Sequence, residues 1–222
     1  MSDDSPGATK LVAAAMDGPF ATEDAACEAM RRGSSGDTGT TCRVRAPEDD
    51  AVPARTGPSS FAQDAYIAEW PLGPDRACAL VVRSADGWFI RPLDLCTVEG
   101  SGHDGQEVTG LTVEGGRLLV RLRETSGHPE EGLGARDELL ACERGPLGRP
   151  ACIAFFTAYE WHPPPAGEPS EADPSARVVQ SVEFVGATDV RIGALSGDVA
   201  RVPGSSTSSN VHAAGSYRLS FP

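Results

Sequence analysis

From residue 61 onward the sequence falls into short apolar or alternating runs broken by turn residues, and nothing between the runs carries a helical period. Parallel strands need a crossover of a dozen or more residues, usually a helix, so this pattern excludes a parallel βαβ sheet. The predicted strands are 65–70, 78–83, 88–93, 108–113, 117–124, 138–143, 151–161, 177–185, 189–194 and 216–221. Asp86-Gly87 and Glu114-Gly115-Gly116 supply glycine where hairpin turns need a positive φ. Leu118, Val120 and Leu122 alternate with Leu119, Arg121 and Arg123, which gives a strand one apolar face and one mostly basic face. The fold class that follows is mainly β, an antiparallel sandwich or meandering barrel. Three hairpins in succession leave a β-propeller-like arrangement as the alternative.

One short N-terminal helix is expected before the strands begin. Thr22 is placed as its N-cap, Glu23 and Asp24 in the first turn, Arg31 and Arg32 in the last, and Gly33 as the stop. Ala26, Cys27 and Met30 share one face at helical spacing, so that face should pack inward. Residues 11–17 fit either an edge strand or a helical turn. Composition divides the chain into a flexible acidic leader (1–10), an appendage with the helix and a Pro-rich linker (11–60), and an antiparallel β domain (61–222).

Six cysteines allow fifteen complete pairings. In sequence order they make three local pairs, separated by 15, 18 and 10 residues: Cys27 with Cys42, Cys78 with Cys96, and Cys142 with Cys152. The last is best supported, because pairing Arg144 with Pro150 across the 145–149 turn sets Cys142 directly opposite Cys152. A symmetric hairpin would set Cys78 opposite Leu93 or Asp94, so a bulge is needed to bring Cys96 into reach. Cys27 and Cys42 rest on proximity alone. Disulfides favour an oxidising compartment, so a periplasmic or extracellular location is expected, with the cytoplasm as the alternative. The sequence opens Met1-Ser2-Asp3-Asp4, without a basic, apolar signal region, which suggests that a removed signal or lipoprotein anchor preceded this point.

The formal net charge is −13 and Lys10 is the only lysine. Nucleic-acid affinity comes largely from basic groups displacing counterions, so DNA and RNA are poor partners. No apolar run approaches the roughly 20 residues that span a bilayer. The scarcity of Lys and Asn beside abundant Ala, Gly, Arg, Pro and Asp resembles usage in GC-rich bacterial genomes.

No catalytic residue can be assigned. The G-x-S-x-G elbow is missing, the paired cysteines leave no spare thiol, and phosphate-cradling glycine motifs do not occur at a strand-to-helix junction. No cofactor is implied. Glu99, Asp104 and Glu107 offer oxygen ligands suited to calcium, though a solvated acidic loop accounts for them better. The segment 128–131 (His128-Pro129-Glu130-Glu131) has the same reading. Trp88, Tyr159 and Trp161 are candidates for a recognition platform, against the plainer reading of core packing. The leading expectation is a non-enzymatic exported or cell-envelope module binding a protein or glycan. A hydrolase whose site assembles only in the fold, and a structural or assembly domain, are the alternatives.

Overall fold

A computed structural model describes residues 9–33, 43–44, 55–56, 58–72, 75–96, 105–128, 132–163, 175–199 and 210–222. Its elements run β1 (Thr9–Val12), β2 (Ala14–Ala15), β3 (Asp17–Phe20), α1 (Glu23–Gly33), β4 (Arg43–Val44), β5 (Arg55–Thr56), β6 (Asp64–Leu72), β7 (Asp75–Ser84) and β8 (Gly87–Cys96). They continue with β9 (Gly105–Glu114), β10 (Arg117–His128), β11 (Gly132–Arg144), β12 (Pro150–His162), β13 (Ala176–Val179), β14 (Val182–Val185), β15 (Asp189–Ile192), β16 (Ser196–Gly197) and β17 (Gly215–Ser220). The expected run 177–185 is two strands instead, because Gln180 and Ser181 leave the ladder. The Gln180 amide instead donates to the carbonyls of Gly193 at 3.0 Å and His212 at 2.7 Å. Residues 11–17 are strand, not helix.

The backbone from β6 to β12 is a meander of antiparallel hairpins. Between β8 and β9 the ladder thins to one parallel pair, Cys96 with Gln106. There the meander folds over into two leaves, a sandwich with no closed barrel. Ile67, Leu80, Val82 and Phe89 of the first leaf meet Leu111, Leu118, Val120 and Leu140 of the second in the main core.

Each leaf is also covered on its outer face. Helix α1 lays Met30 on Tyr66, Val81 and Ile90 of the first leaf. Its expected inward face is the buried one: Ala26, Cys27 and Met30 are 0%, 5% and 8% exposed. The Thr22 hydroxyl caps the helix by accepting from the Ala25 amide at 3.1 Å. The buried Tyr66 hydroxyl donates to Glu23 in its first turn.

On the second leaf lies a smaller sheet of order β1-β17-β15-β14, where β1 pairs in parallel with β17. Leu119, Ala141 and Phe155 on the outer face of the leaf pack against Val190, Ile192, Tyr217 and Leu219 of that sheet. The N-terminal residues are woven into the whole: β2 pairs with β12 and β3 with β8. Among the described residues no helix is long and apolar enough to cross a membrane.

Cys142 and Cys152 stand opposite each other in the β11–β12 register and form a disulfide with Cα atoms 4.0 Å apart. Cys27 and Cys78 are also disulfide-bonded. A register shift falls between Ala77 and Ala79, at Cys78, and the β8 backbone at Cys96 stands opposite Arg76. Cys42 and the Cys96 side chain lie outside the described residues.

Replacing both Cys142 and Cys152 by alanine should lower stability by about 2–3 kcal/mol for a closed loop of this size. Phe155→Ala should cost about 3–5 kcal/mol. Urea unfolding measures both; a loss under about 1 kcal/mol for Phe155→Ala would mean that the smaller sheet is not held by this contact.

Candidate functional site

Two irregularities of the second leaf fall at the same level of the sheet. Between β9 and β10 the register passes from Gly110↔Arg121 to Val108↔Leu122, which leaves Thr109 as the extra residue. Between β11 and β12 it passes from Asp137↔Ala158 to Glu138↔Phe156, which leaves Thr157 as the extra residue. Arg121 and Leu122 stand opposite Leu139 and Glu138 on β10–β11, so the bulges flank that central pair on both sides. Both bulged threonines turn their hydroxyls onto the backbone: Thr109 donates to the Arg121 carbonyl at 3.4 Å and Thr157 to the Asp137 carbonyl at 2.9 Å. A bulge bends its strand and re-aims side chains. Between these two lies a cavity of about 350 Å³ whose walls include Thr109, Arg121, Arg123, Asp137, Leu139 and Thr157.

The cavity is on the outer face, beyond the part covered by the smaller sheet. Where that cover ends, the side chains along the same face change from Leu119 and Phe155 to Arg121, Arg123, Asp137 and Glu160. Arg123 donates to Glu160 at 2.7 Å and approaches Asp137 at 3.4 Å, and Arg177 approaches Glu160 at 3.3 Å. The hydrogen bond from Arg123 holds the Glu160 carboxyl below its usual range and raises the Arg123 guanidinium. Burial pushes the Asp137 carboxyl up, only partly offset by Arg123. Arg121 lies across Gly110, and among the described residues no carboxylate pairs with it.

Trp88, Tyr159 and Trp161 do not gather into one platform. Trp88 packs edge-on to Tyr66 with ring centroids 6.4 Å apart in the helix-covered layer, under the Arg83 guanidinium. Tyr159, 3% exposed, belongs with Phe156, Ala176 and Val178 to a separate cluster that Trp161 borders. Their rings lie over glycines of β11: a Cβ at Gly134 would overlap the Tyr159 hydroxyl, and one at Gly132 would overlap the Trp161 ring. Of the calcium candidates, Glu107 is an exposed residue of β9 facing Arg123, while Glu99 and Asp104 lie outside the described residues, as do 129–131. Among the described residues no group of three or more His, Cys, Asp or Glu side chains could hold a metal ion.

A larger groove of about 530 Å³ runs between β3, α1 and β8, with Met16, Met30, Ile90 and Arg149 in its walls. Met30 and Ile90 there belong to the packing of the helix on the first leaf. The exposed His162 ring contacts the Ser175 hydroxyl at 3.0 Å, but the two line neither cavity. His212 is set between Phe155 and Tyr217, with ring centroids 5.8 and 6.0 Å away. Its Nε2 is buried without a partner among the described residues.

Sequence reasoning noted the basic face of Arg121 and Arg123 but not the acids opposite it. Which of 32 carboxylates they would meet depends on register. No signal in a single sequence marks Thr109 or Thr157 as bulged. The cavity walls bring together the guanidinium groups of Arg121 and Arg123, the carboxylates of Asp137 and Glu138, and the Thr109 and Thr157 hydroxyls, which are bonded to carbonyls.

Burial lowers the His212 pKa below its ordinary 6.5, with a hydrogen bond to the Ala154 backbone opposing the shift. The unfolded chain therefore takes up a proton that the folded one refuses, and stability should fall as pH drops below about 6.5. Urea unfolding at pH 7.5 and 5.5 should show the loss in the wild type and a smaller loss in His212→Phe; equal losses in the two would remove His212 as the cause. Comparison of the chain with family models, curated proteins and solved structures returns no match.

Proposed function

We propose that the chain is a non-enzymatic binding module of an oxidising, extracytoplasmic compartment that recognises a partner protein on the open end of the β9–β13 face. The observation that carries this reading is the cavity between the two aligned bulges, walled by arginine, aspartate and threonine. Bulges interrupt ladder pairing, and here they form the concavity where the sheet is uncovered. The polar network beside it adds little to folding. Exposed ion pairs contribute about 0.2–1 kcal/mol, against roughly 1.5–3 kcal/mol for burying a side chain such as Phe155.

A protein partner is favoured over a glycan by the absence of an aromatic ring among the described residues of the cavity walls. Sugar platforms rely on such rings, and Tyr159 and Trp161 are instead turned onto glycine. The buried Cys142–Cys152 disulfide supports the compartment.

The reading is tested by placing a photo-crosslinking residue at Thr109, and separately at Leu147, which is 81% exposed on the β11–β12 turn. In cell-envelope extracts, position 109 should capture a defined partner that position 147 does not, and Asp137→Lys should abolish the capture. Equal capture at both positions would overturn the assignment of this face. Hydrolytic turnover lost in Ser175→Ala would overturn the non-enzymatic reading.

A further inference from the structure

The open concavity contains one base and one acid that the protein itself leaves under-served. Among the described residues Arg121 has no carboxylate partner. Arg123 commits its close contact to Glu160 at 2.7 Å and reaches Asp137 only at 3.4 Å. We infer that the concavity accepts an extended segment of a partner protein carrying an acidic and a basic side chain two residues apart, the acidic one on Arg121 and the basic one on Asp137. This rests on the reading of the concavity as the binding site.

The spacing follows from the register. Arg121 faces Leu139 across β10–β11, and Asp137 lies two residues along from Leu139 on the same face. Such diagonal neighbours stand about 7–8 Å apart, with their Cβ atoms somewhat closer. Side chains two apart on an extended segment project from one face about 6.7 Å apart. The two charges of the segment can therefore engage Arg121 and Asp137 together, with their methylene stems over Leu139.

The chemistry agrees with this placement. A guanidinium presents a fork of donors suited to a carboxylate. The upward push of burial on the Asp137 carboxyl is offset by the charge of a cation arriving beside it. A segment bearing one charge of each sign is neutral as a whole, so the net charge of −13 does not repel it.

The test is a titration of the full chain with acetyl-Glu-Leu-Lys-amide, followed by amide chemical shifts, against acetyl-Gln-Leu-Gln-amide as the neutral control. The charged peptide should bind about tenfold more tightly, and added salt should erode the difference. Arg121→Gln and Asp137→Asn should each remove most of the preference, and Arg121→Lys should restore part of it, with unchanged melting temperatures showing that the variants fold. Equal binding of the two peptides, or a preference that survives in folded Arg121→Gln and Asp137→Asn, overturns the inference. If the preference is absent while the crosslink at position 109 persists, the ligand chemistry is wrong and the face is right; if both are absent, both readings fall.

Discussion

The structure depends on a leaf of sheet that is buried on both faces at one end. Strand alternation puts Leu118, Val120 and Leu140 on one side of β10–β11 and Leu119 and Ala141 on the other. A free-standing antiparallel sheet would leave the second set in water. Here the first set closes against β6–β8 and the second against the smaller sheet, so three β layers share one central leaf. Phe155 marks the outer boundary, with Phe184 edge-on at 6.0 Å and His212 at 5.8 Å.

The same leaf changes character along its length. Past the line of bulges the outer face turns from leucine and phenylalanine to arginine and carboxylate. The cover stops where the apolar residues stop, because a layer laid over Arg123, Asp137 and Glu160 would have to desolvate them for little return. The bulges then shape the uncovered surface, and the bonded threonine hydroxyls fix its bend without leaving polar atoms unsatisfied. Covered and open halves of one face are thus produced by a single change in side-chain chemistry.

Electrostatics within the open half are uneven. Glu160 receives a close guanidinium and is held ionised, while Asp137, reached by Arg123 only at 3.4 Å, keeps a carboxyl pushed up by burial. Arg121 stands outside the network. Such an arrangement is of little use to folding and is well matched to a ligand that brings its own charges.

Legible in the sequence alone were the mainly β class with its antiparallel hairpins, the helix with its cap and inward face, and the Cys142–Cys152 staple. Each of these is set by local spacing: a period of two, a period near 3.6, and a turn that fixes which residues oppose. It also showed that Arg121 and Arg123 share a face. It took the tertiary fold to bring Asp137 and Glu160 to that face, to set the Thr109 and Thr157 bulges on either side of β10–β11, and to lay Tyr159 over Gly134. Those outcomes depend on the register of each strand pair and on where its bulges fall, and a register shift of one residue sends every side chain to the other face.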